Sequence, residues 1–332
     1  MRRSDGVRLL YPGKVHSLHG ESESAKSLIA QAECVRVIKS GGRVLFLDFE
    51  SDAVSVIGRL LGMGATAEII LKRFKYVRPE FDPETFGEAE EEAFQRHLGG
   101  VYDLIVIDGV TAAFDVYGLN SMDNGDTMKW GRKLPLRLAS KTGAAVILID
   151  HVTKSSDGRG RFALGAQMKM SFLTGAAYTA RMTQQLAVGR VGKIEIRVGK
   201  DREGLVRSHS TDFRSSDQTA AIAVAVFDST QPSKLLYSLE APSGHTLIRS
   251  DDEISGLPRA VLDVLSTETG GVGMKTICAN SKPRKLAPST AKRHVDNLVA
   301  MGFIAEAKPL TPENPGRAAL YQITAEGTAL LA

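Results

Sequence analysis

The segment Gly20-Glu21-Ser22-Glu23-Ser24-Ala25-Lys26-Ser27 sets a lysine beside a hydroxyl residue directly after an apolar run and at the start of a helical pattern. Backbone N–H groups of such a loop, together with the following helix N-terminus, can wrap phosphate groups. Lys26 would then reach the β- and γ-phosphates of a nucleotide, and the Ser27 hydroxyl would ligate Mg2+. The spacing is that of a phosphate-binding loop, G-x-x-x-x-G-K-[ST], with Ala25 where the second glycine normally stands. If that position is left-handed, alanine costs roughly 1–2 kcal/mol that glycine does not. Glu21 and Glu23 would repel polyphosphate unless they point away. A plain helix start capped by Ser24 is the competing reading.

Three other positions could share that chemistry. Ile105-Val106-Ile107-Asp108 is an apolar run ending in a carboxylate, an arrangement that can hold Mg2+ through water. Leu47-Asp48-Phe49-Glu50 offers two carboxylates at alternate positions, and Glu50 there could polarise an attacking water. Ile149-Asp150-His151 places an imidazole at a third such end. Each taken singly is also a common structural ending. Open α/β sheets bind their ligands at the carboxyl ends of their strands, where all of these groups converge.

The elements that must position them are legible as short continuous apolar runs at 15–20, 43–50, 102–109 and 144–151, the pattern of strands covered on both faces. Helical patterns lie between them at 24–39, 52–61, 83–98 and 128–141. Strand-like stretches at 193–202 and 220–228 suit an antiparallel extension of the sheet. The fold class expected is α/β with a mainly parallel sheet over residues 1–240, a turn-rich linker at 241–256, and a small domain at 257–332.

At 332 residues and 43% hydrophobic, the chain has material for a sizeable core, which excludes wholesale disorder. No uncharged apolar run reaches the roughly 18 residues of a membrane span, and the basic start lacks a secretory apolar segment. Cys34 and Cys278 lie too far apart in sequence to suggest a zinc site or a disulfide framework, so a reducing cytoplasm is expected. A net charge of +4 permits a nucleic-acid partner without requiring one.

Taken together, these motifs resemble the RecA-like core of hexameric replicative helicases of the DnaB and RepA type, most closely the single-chain forms carried by phages and plasmids of actinobacteria. The resemblance spans roughly residues 10–230. It implies that Lys26 and Ser27 are the phosphate-binding and Mg2+-binding pair of an ATP site, that Asp108 is the Walker-B carboxylate and that Glu50 is the catalytic base. His151 matches a polar sensor of the γ-phosphate. Val198-Gly199-Lys200-Asp201-Arg202-Glu203-Gly204 resembles the Lys-x-Arg pair that reaches into a neighbouring subunit's ATP site. Lys200 and Arg202 are two residues apart on a strand, so both would face one anionic ligand. Two solvated cations on an edge strand are the bland alternative. For the nucleotide base, Arg59, Tyr76 and Arg78 are near the site, and spacing selects none of them.

In that fold the loop after the sensor strand faces a central channel. Here it carries Lys154, Arg159, Arg161 and Lys169, with Phe162 its one aromatic, which suits sequence-independent contact with a single-stranded phosphodiester backbone. Residues 257–332 resemble a winged helix-turn-helix. Its third helix, 289–301, would carry Lys292, Arg293, His294 and Asn297 on a polar side and Val295, Leu298 and Val299 on an apolar one. Arg317 would lie at a hairpin tip. Such domains contact duplex DNA or protein.

The function these features imply is an ATP-driven DNA motor, a helicase or helicase-like translocase of phage or plasmid replication, working as a homo-oligomeric ring, a hexamer, with ATP and Mg2+ between subunits. The alternatives are a non-motor ATP-switched DNA-binding protein, such as a helicase loader or origin regulator, and a strand-exchange recombinase.

Overall fold

A computed structural model of the chain describes residues 1–82, 85, 87–152, 168–242, 257–267, 271–281, 287–300, 303–308 and 319–329. It divides into two compact units, residues 1–247 and 248–332. In the first unit, strands β1 (Val15–Gly20), β2 (Val44–Asp48), β4 (Leu104–Asp108) and β5 (Ala145–His151) form at four of the apolar runs, and all but the terminal His151 are buried throughout. The remaining strands are β3 (Phe74–Val77), β6 (Ala176–Gln184), β7 (Val191–Asp201), β8 (Thr211–Arg214), β9 (Thr219–Asp228) and β10 (Leu236–Glu240). They join one sheet of order β10-β9-β7-β6-β1-β5-β4-β2-β3, with β8 paired to β9. From β6 to β3 the pairing is parallel; β7, β9, β10 and β8 add antiparallel to one side. This is the mainly parallel α/β sheet with an antiparallel extension that the sequence pattern predicts.

Alternation along the strands divides the apolar side chains between two cores. Leu18, Phe46, Val106 and Ile147 join α1 (Lys26–Lys39) and α2 (Ala53–Gly62) on one face. Ile105, Ile107, Val146 and Leu148 meet α5 (Val110–Val116), α6 (Asn124–Lys133) and α7 (Pro135–Thr142) on the other. There Trp130 stacks on Phe114, ring centroids 4.8 Å apart. The helical pattern at 128–141 is in fact two helices, because Pro135 cannot continue the hydrogen-bond ladder and restricts Leu134, which sits at φ −116, ψ −77. The helical pattern at 83–98 forms as α4 (Glu88–Leu98), and two short helices that periodicity did not reveal complete the unit: α3 (Ala67–Arg73) and α8 (Met168–Phe172).

The second unit contains α9 (Leu257–Thr267), β11 (Val272–Gly273), α10 (Met274–Asn280), α11 (Pro288–Ala300), β12 (Ile304–Lys308), β13 (Leu320–Ile323) and α12 (Ala325–Ala329). Its antiparallel sheet has the order β11-β13-β12. On α11 the inward positions are Ala291, His294, Val295 and Leu298, the spacing of one helical face. Two expectations are therefore corrected: His294 is only 9% exposed and Val299 is 40% exposed, because the buried stripe follows 3.6 residues per turn rather than the apolar letters. Among the described residues no helix is long and apolar enough to cross a membrane.

Candidate active site

Parallel pairing brings the carboxyl ends of β1, β5, β4 and β2 to one edge: Gly20 is level with His151, Asp108 with Ile149 and with Asp48. The chain leaving β1 must turn at once into α1, and Gly20 permits this because a Cβ there would collide with the Ala180 carbonyl oxygen. Ala25 has φ 62 and ψ 21, and Glu23 has φ 64. Both are left-handed without being glycine, flanking a Ser24 that is not, the alternation that turns backbone N–H groups toward a common concave side. Glu21 and Glu23 are exposed.

Lys26 is 5% exposed and its Nζ donates to the Glu21 carbonyl oxygen at 2.6 Å and to Ser24 Oγ at 3.3 Å. Burial lowers its pKa, opposed by the negative charges of Asp108, Glu50 and Asp150. One residue on, Ser27 Oγ donates to Asp108 Oδ1 at 3.2 Å, so hydroxyl and carboxylate from two distant segments share one spot. Burial pushes the Asp108 carboxyl up to about 7, with Asp48 and Glu50 adding to the rise and Ser27 and Lys26 working against it. A hydroxyl and a carboxylate are the hard oxygen donors that Mg2+ takes.

The two carboxylates after β2 divide their work. The strand ends at Asp48, so Asp48 and Glu50 do not share a strand face as their spacing suggests. Asp48 is fully buried and accepts from Glu50 N at 3.1 Å, Ser51 N at 2.7 Å and the Tyr76 hydroxyl at 2.9 Å. It is a strut that fixes the turn. Glu50 stands exposed at that turn, packed so closely on Gly109 that a Cβ there would strike its carboxylate, and His151 Nε2 lies 3.5 Å from Glu50 Oε1. Both Glu50 and His151 line a cleft of about 940 Å3 whose wall also includes residues 20–28, Arg59 and part of β6 and β7.

The structure thus brings together Gly20 through Ser27, Glu50, Asp108 and His151. It sets the remaining candidates elsewhere. Lys200 Nζ donates to the Leu173 carbonyl at 3.0 Å and to the Met170 carbonyl, while Arg202 Nη2 donates to the Ser171 carbonyl at 2.9 Å. Within one chain both cations therefore hold the end of α8. Lys169 is a correction: only 5% exposed, its Nζ binds Asp150 Oδ2 at 2.8 Å, so it is a buried ion-pair partner and not a cation facing nucleic acid. Lys292 is exposed and pairs with Asp296 at 3.0 Å on the next turn of α11. Lys154, Arg159, Arg161 and Arg317 lie outside the described residues, as does the Arg293 side chain.

Sequence reasoning missed the cleft's far wall on β6 and β7, where Arg197, 3% exposed, binds Glu195, Asp212 and Thr219. The run AAYTARMTQ carries enough alternation to have marked β6 as a strand, but nothing in it shows that β6 lies beside β1.

Residues 3–157 match the model of a family described as an AAA domain. Among solved structures, a KaiC-like protein of the hyperthermophilic archaeon Pyrococcus horikoshii OT3 is similar, with a TM-score of 0.43 and 13% identity over 68% of this chain and 89% of that one. No curated protein matches the chain. The matched segment contains the phosphate loop, Glu50, Asp108 and His151. The first unit has a mainly parallel α/β sheet with the phosphate-loop spacing at the carboxyl end of its first strand.

Proposed function

We propose that this chain is an ATP-driven DNA motor, a helicase or helicase-like translocase of phage or plasmid replication that works as a ring. The observation that supports it most is the meeting of Ser27 and Asp108 at 3.2 Å beside a buried Lys26, with Glu50 and His151 on the same cleft. On this reading the left-handed loop and Lys26 hold the triphosphate. Ser27 and Asp108 would hold a Mg2+ ion, which would supply Lewis-acid stabilisation of the phosphate charge. Glu50, exposed to the cleft, accepts the proton of the attacking water, and the His151 imidazole fixes the orientation of that carboxylate. Lys26 balances charge as the γ-phosphate departs.

Ring assembly would give Lys200 and Arg202 their catalytic role, by exchanging the carbonyls of α8 for a neighbour's phosphates. This couples each site to the next subunit. Lys154, Arg159 and Arg161, and the second unit, read as a winged helix, would provide the DNA contacts.

A second reading, an ATP-switched DNA-binding protein that is not a motor, is favoured by one feature: Lys26 Nζ is tied to the Glu21 carbonyl, a bond it must give up before it can hold phosphate. Phosphate release with and without single-stranded DNA, paired with strand displacement on a forked duplex, separates the two. The motor reading expects DNA-stimulated turnover, displacement, and loss of about 100-fold or more in Lys26→Ala and Glu50→Gln. Hydrolysis without displacement assigns the chain to the second reading, and equal turnover in parent and variants rejects the catalytic assignment.

A further inference from the structure

The cleft's lining runs from the phosphate loop to β6 and β7, and its two ends differ in chemistry. The end where hydrolysis would occur is fixed by Glu50 and His151, which lie on the β5–β4–β2 side of the phosphate loop. A nucleotide laid with its γ-phosphate there must extend its nucleoside the other way. On that other side Gly20 is level with Ala180 of β6, and the next residue, Arg181, is level with Glu195 of β7. Neighbouring strands are about 4.8 Å apart, so β7 lies roughly 10 Å from β1, the reach of a ribose and base.

The geometry points to this wall, formed by Arg181, Met182, Gln185 and Leu186, as the nucleoside subsite, with a preference for adenine over guanine. All four residues line the same cleft as the phosphate loop. Met182 and Leu186 are half-buried and give an apolar bed for a base. Leu186 is seated directly on β7, because Gly192 leaves room that a Cβ would deny to the leucine side chain. Arg197, bound to Glu195, Asp212 and Thr219, stiffens the strands beneath.

Arg181 and Gln185 are exposed, and among the described residues neither side chain has a hydrogen-bond partner. The Arg181 guanidinium stands where the phosphate chain gives way to ribose. The Gln185 amide offers a donor and an acceptor together, the complement of adenine's N7 and N6 amino group; guanine presents two acceptors on that edge and leaves the amide oxygen unpaired. Of the candidates on the opposite flank, the Tyr76 hydroxyl is committed to Asp48, and Arg78 is not part of the cleft wall.

This rests on the proposal that the site binds ATP, and the test separates the two. Equilibrium affinities for ATP, GTP and inorganic tripolyphosphate are measured with Mg2+ for the parent, Leu186→Asp, Gln185→Ala and Arg59→Ala. Leu186→Asp is expected to weaken ATP about tenfold or more, and Gln185→Ala to lower the ATP-over-GTP ratio severalfold to about tenfold, both with tripolyphosphate affinity unchanged. Unchanged ATP affinity and unchanged ATP-over-GTP ratio in both variants overturn the subsite, as does a loss confined to Arg59→Ala, or a parallel loss of ATP and tripolyphosphate. A parent that binds tripolyphosphate and ATP equally also overturns it, whereas a parent that binds neither rejects the ATP site itself.

Discussion

At the scale of single residues, Asp108 carries the site's tension. Its carboxyl is held up to about 7 chiefly by burial, so between about pH 4 and 7 the folded chain binds a proton that the unfolded chain has released. The stability Asp108 contributes is therefore greatest at acid pH and is lost as pH rises through 7. Asp108→Asn, which keeps the shape without the charge, is expected to raise the melting temperature of the ligand-free protein at pH 8 and to change it little at pH 5. It should also abolish Mg2+-dependent hydrolysis. Thermal melts at the two pH values decide this, and an equal shift at both would refute the assignment of burial as the cause. Much of this residue-level site was legible in the sequence: Lys26, Ser27, Asp108 and Glu50 stand in motifs whose spacing follows from phosphate chemistry. The separation of Asp48 from Glu50 was not legible, since it depends on the Tyr76 hydroxyl arriving from β3.

At the scale of elements, the Lys169–Asp150 pair ties α8 to the end of β5. Both side chains are almost fully buried, and burial raises the Asp150 pKa while Lys169 pulls the other way. Removing one partner leaves an uncompensated buried charge, so Lys169→Ala is expected to cost about 3–5 kcal/mol, and Lys169→Met with Asp150→Leu to recover most of that. Denaturant unfolding measures both; a loss under about 1 kcal/mol in Lys169→Ala would mean the pair is wetter than its burial indicates. This contact explains why sequence reasoning misplaced Lys169. A lysine in a Gly- and Arg-rich stretch reads as a surface cation, and only the return of α8 against β5 buries it. The parallel strands were readable because each is a continuous apolar run covered on both faces. β6, with its exposed Arg181 and its neighbour β1 far away in sequence, was hidden by the same principle.

At the scale of the whole molecule, the chain places Lys200 and Arg202 on backbone carbonyls in and just after α8. The ring reading expects mass measurement to show assembly promoted by ATP and single-stranded DNA. Lys200→Ala with Arg202→Ala should still assemble but lose most of its stimulated hydrolysis. A protein that stays monomeric under all four combinations of ATP and DNA contradicts shared sites between subunits.

The claim on which the rest depends is that the left-handed bend between β1 and α1 receives the triphosphate of ATP. Calorimetric titration of Mg2+-ATP into the parent, Lys26→Ala and Ala25→Gly tests it most directly. One site per chain is expected in the parent, lost in Lys26→Ala. Ala25→Gly should bind at least as tightly, because glycine relieves a left-handed strain of roughly 1–2 kcal/mol. No heat of binding in any of the three proteins, or equal affinity in parent and Lys26→Ala, would contradict the account.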